Sequence, residues 1–169
     1  PASLYLVSYG VGDADLITYR AVDTIHKSDV IVCRKKRVSH LEKYIGNKTI
    51  IDNSHSGWRT YGKDCAEMKT EDEKAVCRKN LETRGELIAK IRRALDSGKT
   101  VSVLGSGDLL IYGGPYRWYL EEFRDYNPEI IPGLSCLNAA NAALGRDIML
   151  GKESHSAVMT TMREIDKFA

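Results

Sequence analysis

TVSVLGSGDLLIYGG, residues 100–114, decides how the chain is read. A β-branched apolar run, Val101 to Leu104, passes directly into Gly-Ser-Gly-Asp and then into an aromatic-bearing segment that ends on two more glycines. A strand-to-helix turn needs one flexible residue and a cap, whereas this one has Gly105 and Gly107 around a serine, with Asp108 behind them. Glycine there lets backbone N–H groups approach a ligand closely. Asp108 adds a carboxylate that accepts from an amine or a ribose hydroxyl. The stretch reads as a buried strand that delivers a binding loop.

Outward from it the same alternation recurs. SLYLVSY (3–9) and SDVIVC (28–33) read as strands, and LITYRAVDTIHK (16–27) between them carries apolar residues at 16, 17, 21, 22 and 25, a helical spacing. LEKYI (41–45) reads as a short helix and KTIID (48–52) as a strand. NLETRGELIAKIRRALDSG (80–98) reads as a long helix with Leu81, Leu87, Ile88, Ile91 and Leu95 on one face and Gly98 as its stop. YRWYLEEF (116–123) is a helix, PEIIP (128–132) a strand, and SCLNAANAALG (135–145) a small-residue helix ended by Gly145. Strands alternating with helices give an α/β fold, a mostly parallel sheet with helices on both faces.

Two stretches break the rhythm. Residues 53–80 are polar and far longer than an ordinary connection, so a lid or insertion with a helical second half is expected there. SAVMTTM (156–162) starts a new apolar run shortly before the sequence stops. The expected organisation is an α/β domain over 1–150, followed at 151–169 by a linker and the first strand of a truncated C-terminal domain.

Composition narrows the partners. The 169 residues, 43% apolar, are enough for one buried core. The 25 basic and 23 acidic residues leave +2, too little for whole-surface attraction to nucleic acid. No apolar run approaches the ~20 residues of a membrane helix, so a soluble cytoplasmic protein is expected, with neither nucleic acid nor membrane as partner. Cys33 and Cys136 sit in apolar surroundings and read as buried. Cys65 and Cys77 flank a charged stretch, where a disulfide or a metal stays open, but no histidine pair or second cysteine pair completes a ligand set. No metal is expected.

In a parallel sheet, ligands bind beyond the carboxyl ends of the strands. YGVGDADLIT follows the first strand, GSGDLLIYGG the fourth and PGLSCLNAA the fifth, so three glycine-bearing loops fall on one edge. G-V-G-D lacks the third glycine of a dinucleotide fingerprint, and no G-K-[ST] follows it. Nicotinamide and nucleoside-triphosphate chemistry are disfavoured.

These residues carry a resemblance. YLVSYGVGDADLITYRAVDTIHKSDVIV is similar to the opening of the tetrapyrrole (corrin/porphyrin) methylases, SVLGSGDLLIYGG to their G-D-P loop, and IIPGLSCLNAANAALG to their V-P-G-[IV]-[ST] segment. The likeness covers essentially the whole chain as that family's N-terminal domain. It implies methyl transfer from S-adenosylmethionine held in a cleft between two α/β domains. Carried over by position, the cofactor contacts would be Val11, then Ser106, Gly107, Asp108 and Ile111, then Ser135 and Cys136.

Val11 stands where the family usually has proline, and Leu109 replaces the proline of G-D-P. Arg34 stands where many uroporphyrinogen methylases have aspartate, and Asn53 where they tend to have lysine. Uroporphyrinogen is therefore disfavoured as the acceptor; the resemblance implies a tetrapyrrole- or corrinoid-like anionic small molecule, with a peptide or other acceptor on the same fold, or a noncatalytic ligand-binding or dimerisation module, as the alternatives. Arg34, which opens the run RKKR, and Arg59 are the expected contacts to the anionic acceptor's carboxylates. Asp13 and Tyr61 are the expected proton acceptors. The resemblance further implies that this domain supplies one wall of the pocket, and that its apolar edge favours a homodimer.

Overall fold

The computed structural model describes residues 3–37, 39–111, 114–149, 151–152 and 155–160. Contacts divide the chain into two units, Pro1–Cys136 and Leu137–Ala169. The first unit carries five parallel strands, β1 (Leu4–Ser8), β2 (Val30–Cys33), β3 (Thr49–Asp52), β4 (Val101–Gly105) and β5 (Glu129–Ile131), in the order β3-β2-β4-β1-β5. Helices α1 (Tyr19–Lys27), α2 (Glu42–Ile45), α3 (Glu71–Asp96) and α4 (Gly114–Glu122) fill the crossovers. The α/β alternation read from the sequence is the one observed.

Register places the loops. Ser8 pairs with Gly105 and Val7 with Ile131, so β1, β4 and β5 finish level with one another at one edge of the sheet. Both faces of the strands are covered. Leu4, Leu6, Val30, Val32, Val101 and Val103 pack with Leu87, Ile91 and Leu95 of α3 and Trp118 and Tyr119 of α4. Val7, Ile31, Leu104 and Ile131 pack on the other face with Ala21 and Ile25 of α1 and Ile45 of α2. All four residues of β2 are buried, which is why such strands read as unbroken apolar runs. Ser102, a buried polar residue of β4, meets the Ser28 hydroxyl at 2.6 Å.

Helix α3 extends one expectation and corrects another. It takes in the helical second half expected within 53–80 and so starts at Glu71, ahead of the helix read over 80–98, because the Thr70 hydroxyl accepts from the Glu73 N–H and the Glu73 carboxylate accepts from the Thr70 N–H, a capping box set inside a polar run. Leu81 is 56% exposed. It lies six residues before Leu87, which at 3.6 per turn leaves it about a third of a turn off the buried stripe. Arg84, 4% exposed, takes the inward position instead.

In the second unit, α5 (Cys136–Leu144), whose first residue still belongs to the first unit, ends at Gly145 with φ +59°. Residues 155–160 fall in no strand. The remainder of the stretch read as a strand, 161–162, lies outside the described residues, as do Tyr112 and the side chain of Arg37. Among the described residues no helix is long and apolar enough to cross a membrane.

The open question at Cys65 and Cys77 resolves to a disulfide with a Cα–Cα distance of 5.5 Å. It ties the turn Cys65–Glu67 to the second turn of α3. Closing so short a loop removes unfolded-state entropy worth roughly 2–3 kcal/mol. Replacing both cysteines by serine is expected to lower the urea-unfolding free energy by about that amount. An unaltered midpoint would show that the cross-link contributes nothing.

Candidate functional site

At the edge where β1, β4 and β5 end, the loops after them enclose a cleft of about 380 Å³. Val11 from the first loop, Ser106, Gly107, Asp108 and Ile111 from the second, and Ser135 and Cys136 from the third all line it. The seven residues singled out in the sequence thus meet in one cavity, although they come from three separate parts of the chain. Pro115 and Tyr116 of α4 complete the lining. Sequence reasoning missed both: Pro115 falls in no element read from the sequence and Tyr116 opens the helix read over 116–123 with no role attached; the available signal was their position directly behind the second loop.

The loops are tied to one another before any ligand is considered. Gly10 and Gly107 exchange backbone hydrogen bonds, 3.3 Å from Gly10 N to Gly107 O and 2.7 Å in return. The buried Ser8 hydroxyl accepts from Leu109 N at 3.1 Å. Asp108 accepts from Leu110 N through Oδ1 at 2.8 Å and from Gly133 N through Oδ2 at 3.3 Å, joining the second loop to the third. A Cβ on Gly133 would stand 2.7 Å from the Ser8 Cβ and 2.9 Å from two carbonyl oxygens. Gly133 therefore serves loop-on-loop packing. Gly107, with φ +70° and open space where a Cβ would go, keeps that side of the second loop clear of a side chain, while its own N–H and carbonyl are taken by Gly10.

The other expected site residues lie outside this lining. Asp13 is exposed in the first loop. Arg34 follows β2 at the same sheet edge, half-buried, and its charge acts on the buried Tyr119 hydroxyl, which the Asn53 amide also meets at 3.1 Å. Arg59 is exposed, with its guanidinium 5.3 Å from the centre of the Trp58 ring. Tyr61 packs against Trp118 with the Arg84 guanidinium over its ring. Burial, then Glu122 and Glu121, push its phenol upward, away from the deprotonated form a base needs.

The segment carrying Arg59 and Tyr61 is docked. Arg84 donates to Gly57 O at 2.8 Å, and Gly57 sits so close to α3 that a Cβ there would stand 2.6 Å from that of Asn80. Trp58 rests against Gly114 at the start of α4. A wider groove at the amino ends of the strands, between α1 and β5, carries charges that are already paired, Arg20 with Glu129 and Lys27 with Asp23. Among the described residues no cluster of three His, Cys, Asp or Glu side chains could hold a metal ion.

The two free cysteines differ sharply. Cys33 is buried in β2, and burial, with Asp52 adding to it, pushes its thiol up to about 11. Cys136 is exposed at the cleft, where it heads α5 beside Ser135, which corrects its reading as a buried residue. Iodoacetamide at pH 8 is accordingly expected to label Cys136 and spare Cys33 in the folded chain, as read by peptide mass mapping. Equal labelling of both would contradict the burial of β2.

Comparison with known proteins is consistent with this arrangement. The profile of the Tetrapyrrole (Corrin/Porphyrin) Methylases matches residues 3–169. A cobalt-precorrin-4 C(11)-methyltransferase of Methanocaldococcus jannaschii is 31% identical over 157 residues, covering 92% of this chain and 51% of that protein. The ribosomal RNA small subunit methyltransferase I of Rickettsia prowazekii is 38% identical over 139 residues, covering 79% of this chain and 40% of that protein. Among solved structures, a cobalt precorrin-4 methyltransferase superposes with a TM-score of 0.60 at 21% identity, covering 89% of this chain and 55% of that one. The chain spans about half the length of these relatives.

Proposed function

The chain belongs to the tetrapyrrole (corrin/porphyrin) methylases, and from that premise we propose that it binds S-adenosylmethionine and takes part in methyl transfer to an anionic, tetrapyrrole- or corrinoid-like small molecule. The observation that carries this reading is the meeting of seven residues from three loops in one cleft. The cleft fits such a cofactor. Its volume lies within the usual range for small-ligand sites, and it combines an apolar side, Val11, Ile111 and Pro115, with the Asp108 carboxylate and the Ser106 and Ser135 hydroxyls.

Bound there, the cofactor supplies an electrophilic methyl group on a sulfonium. The protein's part in such a displacement is alignment and exclusion of water. Val11 and Ile111 cover the nucleoside, while Asp108 accepts from a hydroxyl or amine with the lone pairs that Leu110 N and Gly133 N leave over. Arg34, at the end of β2, meets acceptor carboxylates, and Arg59 is the outer cation. Asp13 takes the proton released at the acceptor atom. Tyr61 is the weaker choice because its phenol is raised and its ring packed. Cytoplasmic location and a homodimer belong to the same reading.

Titration calorimetry is expected to show S-adenosylmethionine binding that Ile111→Ala weakens about three- to tenfold, the loss of roughly 1 kcal/mol of apolar burial. No binding by the unaltered chain would overturn the cofactor assignment. A second reading keeps the cofactor and makes RNA the acceptor, favoured by the 38% identity to a ribosomal RNA methyltransferase. The acceptor that takes up the methyl group separates the two, and Arg34→Glu tests the anion contact. With a polycarboxylated corrinoid acceptor it is expected to raise KM about tenfold or more while cofactor affinity stays constant. Transfer to small-subunit ribosomal RNA and to no tetrapyrrole would replace the first reading by the second.

A further inference from the structure

We propose that the Tyr116 ring is the element of the cleft that reads the charge on the cofactor's sulfur, favouring the sulfonium of S-adenosylmethionine over the neutral thioether that remains after transfer. The proposal rests on the cofactor reading above and extends it to a residue that the sequence motifs did not mark. Tyr116 is the one aromatic side chain among the described residues lining the cleft. Its ring is held from two sides. Tyr119, 1% exposed, stacks against it with centroids 6.4 Å apart and planes 21° from parallel. Gly105, the last residue of β4, lies so close that a Cβ there would stand 2.6 Å from the Tyr116 Cζ. The absence of a side chain at Gly105 is what lets the ring settle against the strand end.

A ring fixed in this way meets the cofactor without reorganising, and its quadrupole attracts a cation but not a neutral sulfur. Asp108 is the charged side chain of the lining, and its carboxylate is anchored to Leu110 N and Gly133 N. Its attraction to a sulfonium is lost on transfer as well, so the ring's share is isolated by variants that change Tyr116 and leave Asp108 in place.

Transfer removes the charge that the ring holds. The methyl carbon leaves with its three hydrogens, the C–S bond pair stays on sulfur, and a lone or bond pair of the acceptor forms the new bond. Sulfur ends neutral, and the positive charge passes to the acceptor, which sheds a proton. Attraction to Tyr116 is thereby lost at the moment the product must leave.

The test is calorimetry on the full chain with S-adenosylmethionine and S-adenosylhomocysteine separately, for the unaltered protein, Tyr116→Leu, Tyr116→Phe and Gly105→Ala. Tyr116→Leu is expected to weaken the sulfonium ligand about five- to thirtyfold and the thioether by less than twofold. Tyr116→Phe keeps the ring and is expected to keep the ratio. Gly105→Ala keeps the tyrosine, but its Cβ would overlap Leu109 Cδ2 and stand 2.6 Å from the Tyr116 ring, and so displaces loop and ring together. It is expected to lower the ratio as well, which covers the case of a misfolded leucine variant, whereas a fall in both affinities at an unchanged ratio would count against the ring. Equal weakening of both ligands would reduce Tyr116 to a wall and overturn the proposal while leaving the cofactor reading intact. Failure of the unaltered chain to bind either ligand would overturn both.

Discussion

The reciprocal hydrogen bonds between Gly10 and Gly107 hold the end of β1 to the end of β4 beyond the last paired residues of the two strands. A parallel sheet offers no short turn to connect neighbouring strands, so each loop leaves its strand independently. Without a cross-tie the loops would diverge into solvent. The glycine exchange supplies one tie, and the Asp108 carboxylate reaching Gly133 N supplies the other. Ser8, fully buried, takes the amide of Leu109 and so closes the floor beneath them. The cleft depends on these contacts, because its lining residues sit on whichever backbone the ties have fixed.

Much of this was legible in the residues. Apolar runs a few residues long led to the five strands of the sheet, the glycines that follow three of them led to the right edge, and the positions carried over from the family resemblance fall on the cleft. What escaped had a physical reason in each case. The start of α3 was hidden because its first turns, Glu71 to Lys74, are charged and solvated, so no apolar period marks them; Thr70 and Glu73 were the signal. Leu81 looked like core because it is apolar, yet the inward position on that turn belongs to Arg84, whose stem and guanidinium pack on Gly57 and Tyr61. Tyr116 escaped because an aromatic residue in a helix is indistinguishable, by pattern, from its packed neighbours Trp118 and Tyr119.

The stretch from residue 53 to 80 shows how a long polar connection is held without a core of its own. It borrows partners: Gly57 lies against α3, Trp58 against the start of α4, and Tyr61 against Trp118, while the disulfide fastens the next turn to α3. Burying Arg84 among them costs desolvation, which lowers its pKa, and the carbonyl of Gly57 and the face of Tyr61 offset part of that cost. The arrangement brings Trp58 to the residue just before Pro115 and Tyr116, so the insertion buttresses the helix start that walls the cleft.

The strand order also sets a timetable. β1 pairs with β4 and β5 and with no earlier strand, and its register joins Leu4 to Val101. At roughly 5–20 residues per second on a ribosome, this strand emerges some 5–20 s before its first neighbour exists. By contrast β2 and β3, consecutive in sequence, are neighbours in the sheet, so each has a partner strand available soon after it is made. The segment LYLVS, apolar on both sides and unpaired on both edges, is therefore the part of the nascent chain most in need of shelter. Translation speed through α3, more than the stability of the finished sheet, governs how long that need lasts.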